Sequence, residues 1–301
     1  MNPLLTVKDL LVSFSVQGQL LQAVRGVSFE LLEGESVGIV GESGCGKSAA
    51  VQAISGLTEG KVSGLIEFAG TRNLVPGKEI GMIFQDPMSS LNPTMKIGAQ
   101  ISEGLIYHKM ASKKEAKHRA IKLLDLVGIK DAHLRANQYP HQFSGGMRQR
   151  VLIATALACN PRLLIADEPT TALDTATQQQ ILDLIQKMKD LFKMSLLIIS
   201  HDFNVIAKTC EKVLVMYAGK IIERGSVQEV LQNPRHPYTQ MLLGSRPRLD
   251  KPKSEPLSLI EGAPPNLLAP IKGCAFQQRC PLKALKCSEE PPGPIACWRV
   301  Q

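Results

Sequence analysis

The sequence predicts an α/β fold built on a parallel sheet. Three observations carry that expectation. Leu163–Ala166 and Leu196–Ile199 are continuous apolar runs, as strands buried on both faces of a parallel sheet require. Asp174–Phe192, the stretch between them, has helical spacing. A short β-branched run, Ser36–Val40, leads into a glycine-rich loop and then a helical stretch, Ser48–Gly56. Strands alternating with helices mark this class.

The remaining elements follow in order. Leu4–Ser15 alternates as a strand, and Val24–Leu32 reads as a second strand. Gly34-Glu35 is a turn before Ser36–Val40. Val62–Ala69 and Glu79–Phe84 read as further strands. From Ile97 to Leu157 the pattern is helical, and Lys114–Val127 sets Ile121, Leu124 and Val127 near one face. Val213–Tyr217 and Ile221–Arg224, joined by Ala218-Gly219-Lys220, read as a β-hairpin. Ser226 with Glu229 forms a capping box for a short helix ending near Asn233-Pro234.

Composition narrows the function classes. Of 301 residues, 44% are hydrophobic and 21% charged, a globular balance. The formal charge of +8 suits anionic partners without choosing among them. Aromatic residues are only 4%, fewer than a reader of single-stranded nucleic acid by stacking normally carries. No apolar run reaches the roughly 18 residues of a membrane helix, and the N-terminal residues lack the pattern of a signal peptide. The last 57 residues, 245–301, hold 10 of the 19 prolines and four of the seven cysteines, and read as a small appended domain. Arg246–Pro256 resembles a basic, proline-rich linker into it.

Gly41-Glu42-Ser43-Gly44-Cys45-Gly46-Lys47-Ser48 matches GxxxxGK[ST] in full, between a strand and a helix that begins with Ser48 and Ala49. Glycines let the backbone wrap a phosphate with its amides pointing inward, and the helix presents its positive end. Lys47 reaches the β- and γ-phosphates and Ser48 ligates Mg²⁺ in this arrangement. Leu163–Ala166 runs into Asp167 and Glu168, a strand delivering a carboxylate for Mg²⁺ and a second that polarises an attacking water. Ser144-Gly145-Gly146 opens an expected helix, Met147–Leu157. Alone it is an ordinary helix cap. A hundred residues from the P-loop, it makes sense as the phosphate-binding end that a head-to-tail partner chain would meet.

In this order, with Gln85, Ala172-Leu173-Asp174 and His201, the motifs resemble the ATPase subunits of ATP-binding cassette (ABC) transporters over residues 4–240. The resemblance implies a P-loop ATPase fold with an antiparallel β subdomain and a helical subdomain near 88–157. It implies ATP and Mg²⁺ as ligands. It implies that Phe14 stacks on adenine, where a place in the core of the first strand is the alternative. It further implies that Gln85 contacts Mg²⁺ and water, that Ser144, Gly145 and Gly146 bind the partner's γ-phosphate, that Asp174 sits in a loop at the dimer interface, and that His201 contacts the γ-phosphate. Glu168, His201 and Lys47 are the catalytic set. Two departures stand out: Phe143 and Met147 flank Ser-Gly-Gly where the family has Leu and Gln, and Gln142 stands where many members carry Glu.

Ser144–Val151 and His236-Pro237-Tyr238-Thr239 resemble one branch, the oligopeptide and dipeptide importer ATPases. That branch implies a second ATPase chain, two membrane permease subunits, an extracytoplasmic peptide-binding protein, and a place at the cytoplasmic face of the membrane. Nickel or another small solute is an alternative cargo. A soluble cassette ATPase acting on nucleic acid or ribosomes is the alternative class. That class usually carries two cassettes or a long coiled-coil insertion, and neither is present. The branch also carries a Cys-containing C-terminal domain, here residues 241–301. Cys274, Cys280, Cys287 and Cys297 are separated by five, six and nine residues, without the short knuckles of structural zinc sites. A [4Fe–4S] cluster, zinc, and disulfides or free thiols all remain open for them. Cys45, Cys159 and Cys210 read as ordinary small residues.

Overall fold

The computed structural model describes residues 3–72, 74–171, 173–245, 260–289 and 295–298. Along the chain come β1 (Pro3–Val16), β2 (Gln19–Leu32), β3 (Ser36–Val40), α1 (Lys47–Ile54), β4 (Lys61–Phe68) and β5 (Ile80–Ile83). There follow α2 (Pro87–Ser90), α3 (Ile97–Tyr107), α4 (Lys113–Leu126), α5 (Ala132–Arg135) and α6 (Gly145–Leu157). Then come β6 (Leu163–Asp167), α7 (Thr175–Phe192), β7 (Ser195–Ser200), α8 (Phe203–Thr209), β8 (Lys212–Tyr217), β9 (Lys220–Ser226), α9 (Val227–Gln232) and α10 (Pro237–Gly244). None of the described helices is long and apolar enough to cross a membrane.

The chain divides into two compact units. The first holds the residues up to 4, 31–36 and 71–199. Its sheet is parallel: β5 pairs with β6 from Ile80↔Leu163 to Ile83↔Ala166, and β6 pairs with β7 from Leu163↔Ser195 to Asp167↔Ile199. Every residue of β6 and β7 is buried, which is why both read as unbroken apolar runs. Ile153 and Leu157 of α6 and Ile181, Ile185 and Met188 of α7 are fully buried with them.

The second unit holds residues 5–30, 37–70 and 200 onward. A three-stranded sheet runs in the order β2-β1-β4, with β1 and β4 antiparallel. β3 lies parallel to β8 from Val37↔Lys212 to Val40↔Val215, and β9 returns antiparallel to β8. The β8–β9 hairpin turns at Ala218 and Gly219, both with positive φ, as its two-residue loop demands. The expected capping box at Ser226 is formed: its hydroxyl accepts from the Glu229 amide at 3.2 Å, and the Glu229 carboxylate accepts from the Ser226 amide at 3.1 Å.

Several expectations are corrected. β2 begins at Gln19 rather than Val24, because Gln17 and Gly18 take positive φ and turn the chain straight from β1. α6 begins at Gly145, two residues before Met147, since the Ser144 side chain accepts from the Met147 amide and caps it. The buried stripe of α4 runs through Ala116, Ala120, Leu123 and Leu124, continuing to Val127; Ile121 is only half-buried. His236-Pro237-Tyr238-Thr239, not assigned an element above, opens α10 with proline in its first turn and the His236 ring accepting from the Tyr238 amide. The linker expected at Arg246–Pro256 lies outside the described residues, as does Ala172.

Leu197 is fully buried in the middle of β7. Leu197→Ala is expected to lower unfolding free energy by about 3 kcal/mol through lost burial and the cavity left behind. Urea denaturation of the two proteins measures the difference.

Candidate functional site

In the second unit the loop 41–46 leaves the buried end of β3 and enters α1. Gly46 stands at the helix boundary with φ 100°, and a Cβ there would come within 2.2 Å of the Ala23 carbonyl oxygen. A Cβ at Gly41 would come equally close to the Met216 carbonyl oxygen. These are backbone approaches that no side chain tolerates. Lys47 is only 4% exposed and folds back over the loop, its Nζ donating to the carbonyls of Gly41 at 2.8 Å and Glu42 at 3.0 Å. Two carbonyls of the loop itself thus fix the lysine side chain. The Cys45 thiol is 3.9 Å from Lys47 Nζ. Burial raises its pKa, with the lysine charge opposing. α1 carries no acidic residue in its first turn to blunt the positive end of the helix.

In the first unit, β6 ends on Asp167 and is followed by Glu168, and the two are 4% and 9% exposed. The Glu168 amide donates to the Ile199 carbonyl at 3.0 Å, extending the β6–β7 ladder by one step. Glu168 itself has φ 45°, a left-handed conformation costing a non-glycine residue about 1–2 kcal/mol. Its carboxylate Oε2 accepts from Gln85 Nε2 at 3.2 Å and from Thr171 Oγ at 3.0 Å. A side chain held from two sides at the end of a buried strand is aimed rather than free to rotate. Gln85, which follows β5, is exposed apart from that bond. Thr171 was not read from sequence; its place three residues beyond Glu168 was the available signal.

The other expected residues stand as follows. Ser144 and Gly145 are exposed at the start of α6, and a Cβ on Gly146 would press to 2.8 Å from the Thr177 methyl. The Asp174 carboxylate caps α7, accepting from the Thr177 amide at 3.0 Å and its hydroxyl at 2.6 Å. Those bonds, the hydroxyl's foremost, hold its pKa below the usual carboxylate range. Phe14 is half-buried in β1, and its ring lies over the backbone of Gly60. His201, just past β7, is exposed.

The C-terminal segment belongs to the same unit as the P-loop. Phe276 is buried and meets Tyr217 and Tyr238 edge-on, at ring separations of 5.3 and 5.4 Å. All seven cysteines are free thiols in the structure. The Cys274 thiol is pushed up to about 11, first by burial and then by the neighbouring Cys287, Cys297 and Cys280. Among the described residues no three His, Cys, Asp or Glu side chains are placed to hold a metal ion. Among the described residues the expected metal site does not stand as a formed donor set.

Loop, buried strand-end carboxylates and capped Ser-Gly-Gly helix together define a P-loop ATPase of the cassette class. The pattern of the ABC transporter family matches residues 24–171, and that of the oligopeptide/dipeptide transporter C-terminal region matches residues 222–287. The oligopeptide transport ATP-binding protein OppD of Bacillus subtilis is 53% identical, covering 92% of this chain and 81% of its own. The dipeptide transport ATP-binding protein DppD of the same organism is 46% identical over 99% of this chain and 95% of its own. Among solved structures, a dimeric ATP-binding cassette bound to ADP and Pi is 28% identical with a TM-score of 0.66, covering 74% of this chain and 98% of its own. The cbiO1 subunit of Clostridium perfringens is 28% identical with a TM-score of 0.64, covering 77% and 92%. The chain belongs to the ABC transporter ATPase family, in its oligopeptide and dipeptide transport branch.

His236 gives a pH dependence with a definite sign. Burial holds its imidazole at about 4 instead of 6.5. Its Nδ1 accepts from the Tyr238 amide at 3.0 Å, which leaves Nε2–H to donate to the Ala296 carbonyl at 3.2 Å. The unfolded chain takes up this proton near 6.5 and the folded chain only near 4. Stability is therefore complete above 6.5 and falls as pH drops to 4, by about 3 kcal/mol in total. Urea denaturation at pH 7, 5.5 and 4 is expected to show this slope, and His236→Gln to flatten it.

Proposed function

We propose that this chain is the energy-coupling ATPase of a peptide importer. Its hydrolytic residues are Glu168, His201 and Lys47, and its partners are a second ATPase chain, two permease subunits and an extracytoplasmic peptide-binding protein. The reading is supported by one chain that combines a complete ATPase motif set with a C-terminal region of the oligopeptide/dipeptide type. The relatives named as oligopeptide and dipeptide transport proteins support peptide as cargo over nickel or another solute. Cytoplasmic-face attachment through the permeases follows from the same reading. In it residues 1–240 form the ATPase domain and 241–301 the C-terminal domain.

Residues from Gly41 to Ala49 bind the triphosphate, with Phe14 as the adenine contact. Lys47 carries the positive charge for the β- and γ-phosphates, and the loop amides supply donors that need no rearrangement at the moment of reaction. Ser48, Gln85 and Asp167 offer the hard oxygen donors that Mg²⁺ takes. When bound, that ion neutralises charge developing on the phosphate oxygens. Glu168 accepts the proton of the attacking water, and Gln85 and Thr171 orient its carboxylate. His201 donates to the γ-phosphate. Ser144, Gly145 and Gly146 present their helix end to nucleotide on the partner chain, and Asp174 borders that interface.

For Cys274, Cys280, Cys287 and Cys297 the reading is a metal staple, supported by four cysteines gathered in a small, proline-rich segment that has little core of its own. A [4Fe–4S] cluster is the first reading and zinc the second. Four irons and four sulfides per chain after anaerobic purification support the cluster; zinc alone supports the second reading; no metal retires both.

Glu168→Gln keeps size and shape and removes the base. It is expected to bind ATP as the parent does and to lower turnover by about a hundredfold or more. Unchanged turnover, measured as phosphate release, would show that Glu168 is not the base.

A further inference from the structure

Glu42 places a carboxylate inside the loop that takes up a polyanion, where an uncompensated charge would repel the ligand. Its side chain is instead paired at two points with Arg279, from Nη1 to Oε2 at 2.7 Å and from Nη2 to Oε1 at 3.0 Å. The arginine side chain is 5% exposed and the glutamate 25%. The guanidinium uses every N–H it has. Nε donates to the Glu261 carbonyl at 3.0 Å, Nη2 also to the Ile260 carbonyl at 3.1 Å, and Nη1 also to the Tyr217 hydroxyl at 3.3 Å. A planar fork fixed at five points does not swing away when a ligand arrives.

The backbone of Glu42 is held as well. Its amide donates to the hydroxyl of fully buried Tyr238 at 2.9 Å, and its carbonyl accepts from Lys47 Nζ at 3.0 Å. Tyr238 and Arg279 share one aromatic cluster with Tyr217 and Phe276, and the guanidinium carbon lies 5.9 and 6.0 Å from the Tyr217 and Phe276 ring centres. Beyond Tyr217 the chain turns, and the Gly219 amide donates to the Cys45 carbonyl of the same loop at 2.9 Å. The P-loop is therefore held by residues that lie outside every nucleotide motif.

We propose that Arg279 and Tyr238 are positioning residues of the nucleotide site, holding Glu42 so that the C-terminal segment sets the affinity of the P-loop for the triphosphate. This rests on the reading of residues 41–49 as the ATP site. Loss of Arg279 frees a negative charge beside the incoming phosphates. Loss of the Tyr238 hydroxyl leaves the Glu42 amide without its partner.

The test titrates the full chain with a fluorescent trinitrophenyl derivative of ATP and measures KM and kcat for ATP. Arg279→Gln and Tyr238→Phe are expected to raise Kd and KM about five- to tenfold, with kcat at saturating ATP within about twofold of the parent. Arg279→Lys is expected to recover part of the loss through its charge. Glu42→Gln/Arg279→Gln is expected to bind better than Arg279→Gln, because the exposed charge is gone. Parent-like Kd in both Arg279→Gln and Tyr238→Phe overturns the proposal. So does a fall in kcat with KM unchanged. Tyr238→Phe removes a single oxygen and keeps the ring packing, so it decides the matter if Arg279→Gln fails to fold. Lys47→Ala separates the two levels: parent-like binding there overturns the ATP-site reading itself, whereas lost binding there with parent-like Arg279→Gln and Tyr238→Phe overturns only the role of the C-terminal segment.

Discussion

Strands β3, β6 and β7 are buried along their whole lengths, and a strand covered on both faces has only its ends to offer to solvent. Polar chemistry along such a strand would leave groups without water or partners, at a cost of several kcal/mol each. The reactive groups therefore stand where the strands stop. The P-loop begins one residue past β3, Asp167 and Glu168 lie at and just beyond the end of β6, and His201 follows β7 directly. In each unit apolar burial fixes the strands, and the strand ends fix where that unit's reactive groups stand.

The strand ends then need geometry that ordinary residues resist. Gly41 and Gly46 approach backbone carbonyls so closely that any side chain would collide, while Glu168 is held in a left-handed conformation. The strain at Glu168 persists because its amide is locked to the Ile199 carbonyl and its carboxylate to Gln85 and Thr171. Such outliers survive only where the surroundings over-determine them. Here the surroundings aim a carboxylate. Lys47 follows the same logic, a buried side chain whose Nζ is held by two carbonyl acceptors of the loop it serves.

The C-terminal segment is tied into the second unit by aromatic packing and by bonds to buried polar groups. Phe276 sits among Tyr217, Tyr238 and His236, and the Ala296 amide donates to the Ile222 carbonyl beside the last described cysteine. His236 serves both sides, capping α10 through Nδ1 and meeting the Ala296 carbonyl through Nε2. A segment with few large apolar residues gains order this way, by lending a ring and an arginine to a core that already exists.

The sequence by itself determined the class and the local geometry of the glycine loop, the strand-end acids and the serine-capped helix, because those features depend on local rules. A glycine spacing, an apolar run ending in two acids and a serine before two glycines each imply their geometry within a few residues. The same locality explains the errors: the start of β2 turned on positive φ at Gln17 and Gly18, and the stripe of α4 on which side its neighbours lie. Only the tertiary structure decided which partners Arg279, Tyr238 and Thr171 meet. Arg279 is 237 residues from Glu42, and no periodicity or motif connects them. Nor does cysteine spacing tell whether four thiols converge on a metal, since that depends on folded backbone across loops of unequal length. Contacts of that range exist only once the core has brought distant chain together, which is why local pattern is silent about them.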